Sequence, residues 1–168
     1  MMLHAFLEYL KYRWKAMGRH GTHSPFVYDL IEQVLLNKDV IDKQFIVAYP
    51  SLPLKYENLI SRIAARYKYA VTQQPALTNE ETKTPIEMLV LSGLKPLQWV
   101  REVEENYSRL KNDSAVIALD IHNTPEHTKG WQQLCADPKV RMSIDLYGIG
   151  VLFFKEEFKE KQHFVLKY

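Results

Sequence analysis

Apolar residues recur at helical spacing through the first third of the chain. The first stripe consists of Leu3, Phe6, Leu7, Leu10, Trp14 and Met17. It predicts an amphipathic helix that ends near Gly18. The opposite face carries Lys11, Arg13, Lys15 and Arg19. Ser24-Pro25 is typical of a helix cap followed by proline at the first helical position. The predicted buried stripe of this second helix is Phe26, Val27, Leu30, Ile31, Val34 and Leu35.

The pattern changes after a third helix, which is predicted to begin around Pro53. Its apolar side consists of Tyr56, Leu59, Ile60, Ile63 and Tyr67. Residues 68–73 predict a short strand, and residues 74–85 predict a polar loop. The apolar run Ile86–Leu91, interrupted only by Glu87, is typical of a strand that is covered on both faces.

Helices and strands alternate in the rest of the chain. A helix is predicted over 96–110, and its inward residues are Leu97, Val100, Val103, Tyr107 and Leu110. A buried strand is predicted over 115–119, and a helix from Thr124-Pro125 to Asp137-Pro138. Further strands are predicted over 140–147, 149–154 and 163–166. This alternation indicates a parallel sheet with right-handed crossovers, and the short C-terminal connections require at least one antiparallel strand.

The predicted fold class is therefore α/β. We expect a shortened Rossmann-like sheet of about five strands, mainly parallel with antiparallel C-terminal strands, preceded by N-terminal helices. Residues 1–168 are interpreted as a single domain. Within it, residues 1–67 form a helical N-terminal extension, and residues 68–168 form a partial Rossmann-like sheet with its helices.

Composition narrows the function mainly by exclusion. The chain has 168 residues and 46% hydrophobic residues, enough for a core. Its net charge of +2 gives no general attraction to nucleic acid or membranes, so neither is an expected partner. Cys135 is the single cysteine, so an intrachain disulfide is excluded. It lies among predicted helix residues, which favours a small buried packing residue over a nucleophile. Without a predicted secretory signal or membrane span, the expected location is the cytoplasm.

One stretch of the sequence carries a family resemblance. Residues 15–28 read KAMGRHGTHSPFVY, which resembles the N-terminal signature of a bacterial branch of class I S-adenosylmethionine-dependent methyltransferases, similar to O-methyltransferases. Residues 86–93 look like the fourth strand of that family, and residues 114–123 like its fifth. Residues 140–155 resemble its closing strand pair, and residues 163–168 its C-terminal end. The resemblance implies a methyltransferase-like domain over most of the chain.

The middle of the chain departs from that family. The resemblance implies a glycine-rich loop after the first strand, where the backbone turns tightly and approaches the cofactor. Between Gly21 and Gly93 the chain has no glycine, and it has no room for a second and third strand–helix unit before the run at 86–91. Ser92-Gly93 stands where the family commonly has Asp-Gly, and Leu119-Asp120 where it often has two acids. We therefore expect no cofactor-binding residues, no bound S-adenosylmethionine and no metal site.

The best candidate pocket is a polar cluster after the second buried strand. Its residues are Ser92, Asp120, His122 and Asn123, with Glu126 and His127 close by. Ligands of open parallel sheets bind outside the carboxyl ends of the strands. On an extended segment, Asp120 and His122 would point toward one cation or one substrate hydroxyl. The alternative is a solvated Asp120 and a His122 that caps the next helix.

A second candidate is the turn between the first two helices. Arg19, His20, His23 and Ser24 precede a helix N-terminus and would suit an anion or an anionic substrate. Turn chemistry explains the same residues without a ligand, because glycine, serine and proline are typical of tight connections. The sequence assigns no catalytic residue.

Three functions remain open at this point. The favoured one is a methyltransferase-like protein that has lost cofactor binding and catalysis and acts through protein contacts. Removing half of a doubly wound sheet leaves a bare edge, so we expect a homodimer or a complex with a full-length relative. The second is an active methyltransferase with a rebuilt S-adenosylmethionine site at Ser92, Asp120 and His122. The third is a small-molecule or anion binding module that uses the turn at 20–24.

Overall fold

The computed structural model describes residues 2–18, 21, 23–37, 53–73 and 84–168. Several sequence predictions fall on other residues. Arg19 and His20 of the candidate turn lie outside the described residues, as does most of the predicted loop at 74–85.

Helices and strands alternate after a helical N-terminal region, as the sequence predicts. The helices are α1 (Met2–Lys15), α2 (Pro25–Leu30), α3 (Leu54–Tyr67), α4 (Pro96–Glu105) and α5 (Pro125–Ala136), and α2 continues as a π-helical turn over Ile31–Leu36. The strands are β1 (Val71–Gln73), β2 (Ile86–Leu91), β3 (Leu110–Leu119), β4 (Met142–Asp145), β5 (Ile149–Phe153) and β6 (Gln162–Val165).

The strands form one six-stranded sheet in the order β1-β2-β3-β5-β4-β6. β1 runs parallel to β2 and β2 parallel to β3, whereas β5 runs antiparallel to both of its neighbours. β4 and β6 are parallel to each other and point in the same direction as β3. The molecule is thus an α/β protein with a mixed sheet, and the expected antiparallel strand at the C-terminal end is β5.

Both faces of the sheet are covered. Met88 and Val90 of β2 join the core formed with α2, α3 and the π-helical turn. Ile86, Leu89 and Leu91 of the same strand join the core formed with α4 and α5. Because successive side chains of a strand point to opposite faces, a continuous apolar run is the pattern that two covered faces require.

Two helix starts follow the caps predicted from the sequence. The Val27 N–H donates to Ser24 Oγ at 3.5 Å, and Pro25 takes the first helical position of α2. The His127 N–H donates to Thr124 Oγ1 at 3.3 Å at the start of α5. In both cases a side-chain oxygen accepts one of the backbone N–H groups that a helix start leaves without an intrahelical partner.

The prediction for α4 was too long and wrong about Leu97, whereas Val103 is buried and Val100, Tyr107 and Leu110 pack against the same core. The helix ends at Glu105, and Leu110 already begins β3. The Asn106 side chain donates to Glu102 O at 2.9 Å, a local bond typical of helix ends. Trp99 is the buried aromatic residue of the helix, with 1% exposure, whereas Leu97 is 62% exposed.

The apolar stripe of α1 faces outward, contrary to the usual position of such a stripe. Trp14 is 92% exposed and Leu3 70%, and Phe6, Leu7 and Leu10 are also exposed. The inward residues are Ala5, Glu8, Tyr12 and Ala16, which recur at helical spacing on the other side. Tyr12 and Ala16 are buried, so α1 packs on the domain through its less apolar face.

We expect Gly150→Ala to lower the free energy of unfolding by about 1–3 kcal/mol, the usual cost of overpacking. A methyl group at Gly150 would overlap the ring of the buried Trp131. Gly18→Ala is the control, because no atom lies within 4 Å of its added methyl group. Urea unfolding of both variants measures the difference. Equal midpoints for Gly150→Ala and wild type would contradict the close approach.

Candidate functional site

The strands β3, β4 and β6 point in the same direction, so their carboxyl ends lie together. We call this end of the sheet the carboxyl edge, and α1 lies across it. The chain leaving α1 attaches to the last strand, because the Met17 N–H donates to Val165 O at 2.7 Å. The Lys167 N–H donates back to Met17 O at 3.0 Å. These bonds fix the end of α1 where an open α/β sheet normally binds its ligands.

A buried histidine–aspartate pair lies beneath α1. His122 follows β3 and Asp145 ends β4, and their Nε2 and Oδ2 atoms are 2.7 Å apart. Both side chains are buried. An ionised carboxylate only accepts hydrogen bonds, so Nε2 is the donor. This bond joins the ends of two parallel strands that lie on either side of β5.

Asp145 also shapes the turn that follows β4. Its Oδ1 accepts a hydrogen bond from the Tyr147 N–H at 2.8 Å, the pattern of an aspartate turn. Tyr147 has φ +68°, a conformation that residues other than glycine rarely adopt. One carboxylate therefore holds both the His122 ring and the strained backbone at Tyr147.

The second nitrogen of His122 faces α1 and α5. Its Nδ1 is 3.7 Å from Glu8 Oε2 and 3.5 Å from Thr128 Oγ1. The other carboxylate oxygen of Glu8 binds Lys11 Nζ at 2.6 Å. The imidazole thus lies between two carboxylates, and each ring nitrogen faces a protein oxygen.

Tyr147 connects this pair to α1. Its ring stacks on His122 with a centroid distance of 5.7 Å, and the rings of Tyr9 and Tyr12 contact its other sides. Its hydroxyl donates to Ala5 O at 2.8 Å. Burial raises the pKa of Tyr147, which keeps this hydroxyl protonated as a donor at neutral pH.

A cavity of about 260 Å³ remains beside the pair. Glu8, Lys11, Lys15, Cys135 and His163 line it together with His122 and Asp145. Its volume is below the range of about 300–1,000 Å³ that is usual for small-molecule sites. Burial raises the pKa of the Cys135 thiol to about 12, so the thiol stays protonated at neutral pH, as expected of a packing residue.

The structure does not bring Asp120 and His122 together as predicted. Asp120 is exposed with φ +54°, and the Asn123 N–H donates to Asp120 O at 2.9 Å, which closes a turn. The segment is therefore not extended, and no hydrogen bond or ion pair joins the Asp120 and His122 side chains. Of the alternative, the solvated Asp120 agrees with the structure, whereas the capping role of His122 was wrong, because Thr124 caps the next helix.

The other candidate residues lie apart from the buried pair. Ser92 is half-buried just after β2 and does not line the cavity beside the pair. Asn123 is exposed. Glu126 accepts a hydrogen bond from Thr124 Oγ1 at 2.9 Å, and burial lowers the pKa of His127. Thr124, Glu126 and His127 form the start of α5.

Only part of the candidate turn can be placed. His23 is exposed, and Ser24 caps α2. Ser24 is thus a helix cap, which is the role that needs no ligand. Within the ranges that the structure describes, no group of three or more His, Cys, Asp or Glu side chains could hold a metal ion.

Sequence reasoning missed Glu8, Asp145 and Tyr147. Asp145 had a usable signal, because it ends a buried strand, and Asp120 was singled out for following one. Glu8 also had one, since Ala5, Glu8, Tyr12 and Ala16 form a second stripe at helical spacing. No sequence signal identifies Tyr147, whose importance comes from contacts with distant parts of the chain.

The place that the resemblance implies for S-adenosylmethionine is described only in part, because residues 74–83, which follow β1, lie outside the described residues. That place lies at the carboxyl ends of β1 and β2. The cavity beside the His122–Asp145 pair is lined by neither β1 nor β2 residues within the described part of the chain. The edge beyond β3 is covered by α1, whose Glu8 and Tyr12 face the strand ends.

Comparisons with known proteins add no identification. No family model matches the chain, and neither a curated protein nor a solved structure matches it significantly. Among the described residues, no helix combines the length and the apolar character that crossing a membrane requires. The interpretation of function therefore depends on the sequence and on the geometry of the molecule.

We expect Asp145→Ala to lower the free energy of unfolding by about 2–4 kcal/mol. The change removes the acceptor of two hydrogen bonds and leaves the buried His122 donor unpaired. The control is Asp29→Ala, which breaks only the half-exposed ion pair with Arg66 and should cost at most about 1 kcal/mol. Urea unfolding measures both, and equal losses in the two variants would sink this assignment of Asp145.

Proposed function

We infer that the chain is a methyltransferase-like protein that has lost S-adenosylmethionine binding and catalysis and acts through protein contacts. The observation that carries this proposal is the orientation of α1. Its polar side closes the carboxyl edge of the sheet, while its apolar stripe is left exposed.

The strand order supports the family resemblance. In a doubly wound sheet of order 3-2-1-4-5-6, the first strand neighbours the fourth, and the fourth neighbours the fifth. β1, β2 and β3 are adjacent in the same way if they are the counterparts of those strands. In the described ranges, the second and third strands then have no counterpart. Those are the strands that the missing glycine-rich region would have preceded.

The contacts of α1 argue against an open catalytic site at the ends of β3 and β4. His122 is held by Asp145 on one side and faces Glu8 and Thr128 on the other. A general base needs a nitrogen within hydrogen-bond reach of the substrate proton. Both nitrogens of His122 face protein oxygens. The role of this histidine is therefore to hold α1 against the ends of β3 and β4.

The exposed stripe of α1 supports a protein contact. Leu3, Phe6, Leu7, Leu10 and Trp14 lie on the solvent side of the helix. A large apolar side chain has a surface of about 200 Å², so the exposed fractions of these five residues add up to roughly 600 Å² of exposed apolar surface. Contiguous apolar patches of this size on a monomer are at the upper end of the usual range and mark interaction sites.

A second copy of the chain is the partner that we propose. A two-fold contact of α1 with α1 would bury roughly 1,200 Å² over both copies, the lower limit of a specific interface. Two-fold contacts are the commonest in homo-oligomers because the same patch serves both subunits. A full-length methyltransferase relative is the alternative partner, and a cytoplasmic location remains part of the proposal.

Dimer formation through the α1 stripe can be tested by placing a negative charge in the stripe. We expect the wild-type chain to sediment as a dimer at micromolar concentration, and Leu10→Glu to sediment as a monomer. Leu97→Glu is the matched control, since Leu97 is an exposed leucine on α4, outside the stripe. Sedimentation velocity of the three proteins gives the masses.

A dimer that survives Leu10→Glu would refute the proposed interface, as would dissociation by Leu97→Glu. A wild-type monomer at about 100 μM would refute self-association. Circular dichroism confirms that Leu10→Glu is folded, which is expected because Leu10 is exposed in the monomer.

The cofactor prediction is independent of assembly. We expect calorimetric titration with S-adenosylmethionine to about 1 mM to give no binding heat, because no glycine-rich cradle follows β1. A saturating isotherm would refute the loss of cofactor binding, and it would favour the active enzyme with a rebuilt site at Ser92.

A further inference from the structure

A second and larger cavity lies on the other side of Tyr12, away from His122. Its volume is about 620 Å³, which is within the usual range for small-molecule sites. It lies between the C-terminal half of α1, the end of the π-helical turn, the N-terminal half of α3 and the last residues of the chain. We call it the Arg62 cavity, after the buried residue in its wall. The proposed function does not use it.

The charged side chains that line the Arg62 cavity among the described residues are all basic. Arg13, Lys55, Arg62 and Lys167 contribute cationic groups, and no acidic side chain lines it within the described ranges. These cations come from three separate parts of the chain, so their meeting depends on the tertiary structure. A cavity walled by charges of one sign concentrates the field and attracts ions of the opposite sign.

Arg62 is the strongest indication of an anionic ligand. It is only 7% exposed, and a buried arginine is normally paired with a carboxylate. Its donors reach only neutral oxygens: Asn58 O at 3.3 Å, Asn37 O at 3.0 Å and the Tyr168 hydroxyl at 3.0 Å. A guanidinium has five N–H donors, so these three bonds leave donor capacity, and no carboxylate side chain among the described residues accepts a hydrogen bond from Arg62.

The start of α3 contributes a partial positive charge from its backbone, and the acidic Glu57 of its first turn does not line the cavity. Lys55 and Asn58 lie in the first turns of this 14-residue helix, whose N-cap residue, Pro53, provides no side-chain cap. Helix N-termini carry a partial positive charge and N–H groups without intrahelical partners. The backbone and the cations of the cavity therefore favour the same kind of group, an anion.

The remaining wall suits an aromatic or apolar portion. Tyr9 and Tyr12 contribute rings, and Leu35 and Leu36 contribute aliphatic side chains. Leu36 is 59% exposed, so its side chain is available to a bound molecule. Nucleotide bases stack on such aromatic side chains. The volume also exceeds what a bare inorganic ion would fill.

We propose that the Arg62 cavity binds an organic phosphate of nucleotide size. The phosphate lies against Arg62, Lys55 and Arg13, and the base lies against Tyr9 and Leu36. Guanidinium groups bind phosphate oxygens through paired N–H donors, whereas lysine acts as a point charge. This binding is separate from the α1 stripe, because Leu10 and Trp14 do not line the cavity.

The test uses the full chain and calorimetric titration at low ionic strength with adenosine diphosphate, adenosine and inorganic phosphate. We expect adenosine diphosphate to bind at least tenfold more tightly than either of the other two. The double variant Arg13→Met/Lys55→Met should weaken that binding at least tenfold. Both residues are exposed, so the variant should fold. Lys129→Met, an exposed lysine of α5, is the control and should bind like wild type.

Several results would overturn the proposal. They are no binding of adenosine diphosphate up to about 1 mM, equal binding of adenosine, or equal binding of inorganic phosphate. Equal weakening by Lys129→Met would indicate attraction by net charge alone. The Leu10→Glu monomer should keep its affinity, so failure of the dimer and failure of the cavity are distinguishable.

Discussion

The carboxylate of Asp145 is the group on which the carboxyl edge of this protein depends. It accepts one hydrogen bond from His122 and another from the Tyr147 backbone, so it joins the end of β3 to the turn after β4. The Tyr147 ring and hydroxyl then contact α1, and Glu8 of α1 faces the far side of His122. A helix that would otherwise bury its apolar side is thereby held by its polar side.

This arrangement has a consequence for function. The edge where open α/β sheets bind ligands is occupied near β3 and β4 by the chain's own helix. The apolar stripe of α1 is left in water, where contiguous apolar area is costly. The orientation of α1 therefore has two results: its polar side covers the carboxyl edge, and its apolar stripe is exposed as a contact surface. This coupling is why we favour a protein contact over catalysis.

Tyr12 divides the space under α1 into two cavities of different character. On the His122 side, carboxylates and cations occur together and neutralise one another. On the Arg62 side, only cations occur among the described lining residues, and the arginine is buried. A buried positive charge is unfavourable unless an anion accompanies it. Among the described residues, the two sides of Tyr12 therefore differ in whether acidic side chains accompany the basic ones.

The sequence by itself determined the α/β class, the helix starts at Ser24 and Thr124, and the two-sided burial of β2. These features follow from local caps and from side-chain periodicity, which neighbouring residues control. It also indicated an antiparallel strand near the end, because short connections cannot cross over the sheet. Only the tertiary structure decided which stripe of α1 faces inward, and that His122 pairs with Asp145 and not with Asp120. Periodicity shows that a helix has two faces, but the face that packs is selected by hydrogen bonds to residues more than a hundred positions away.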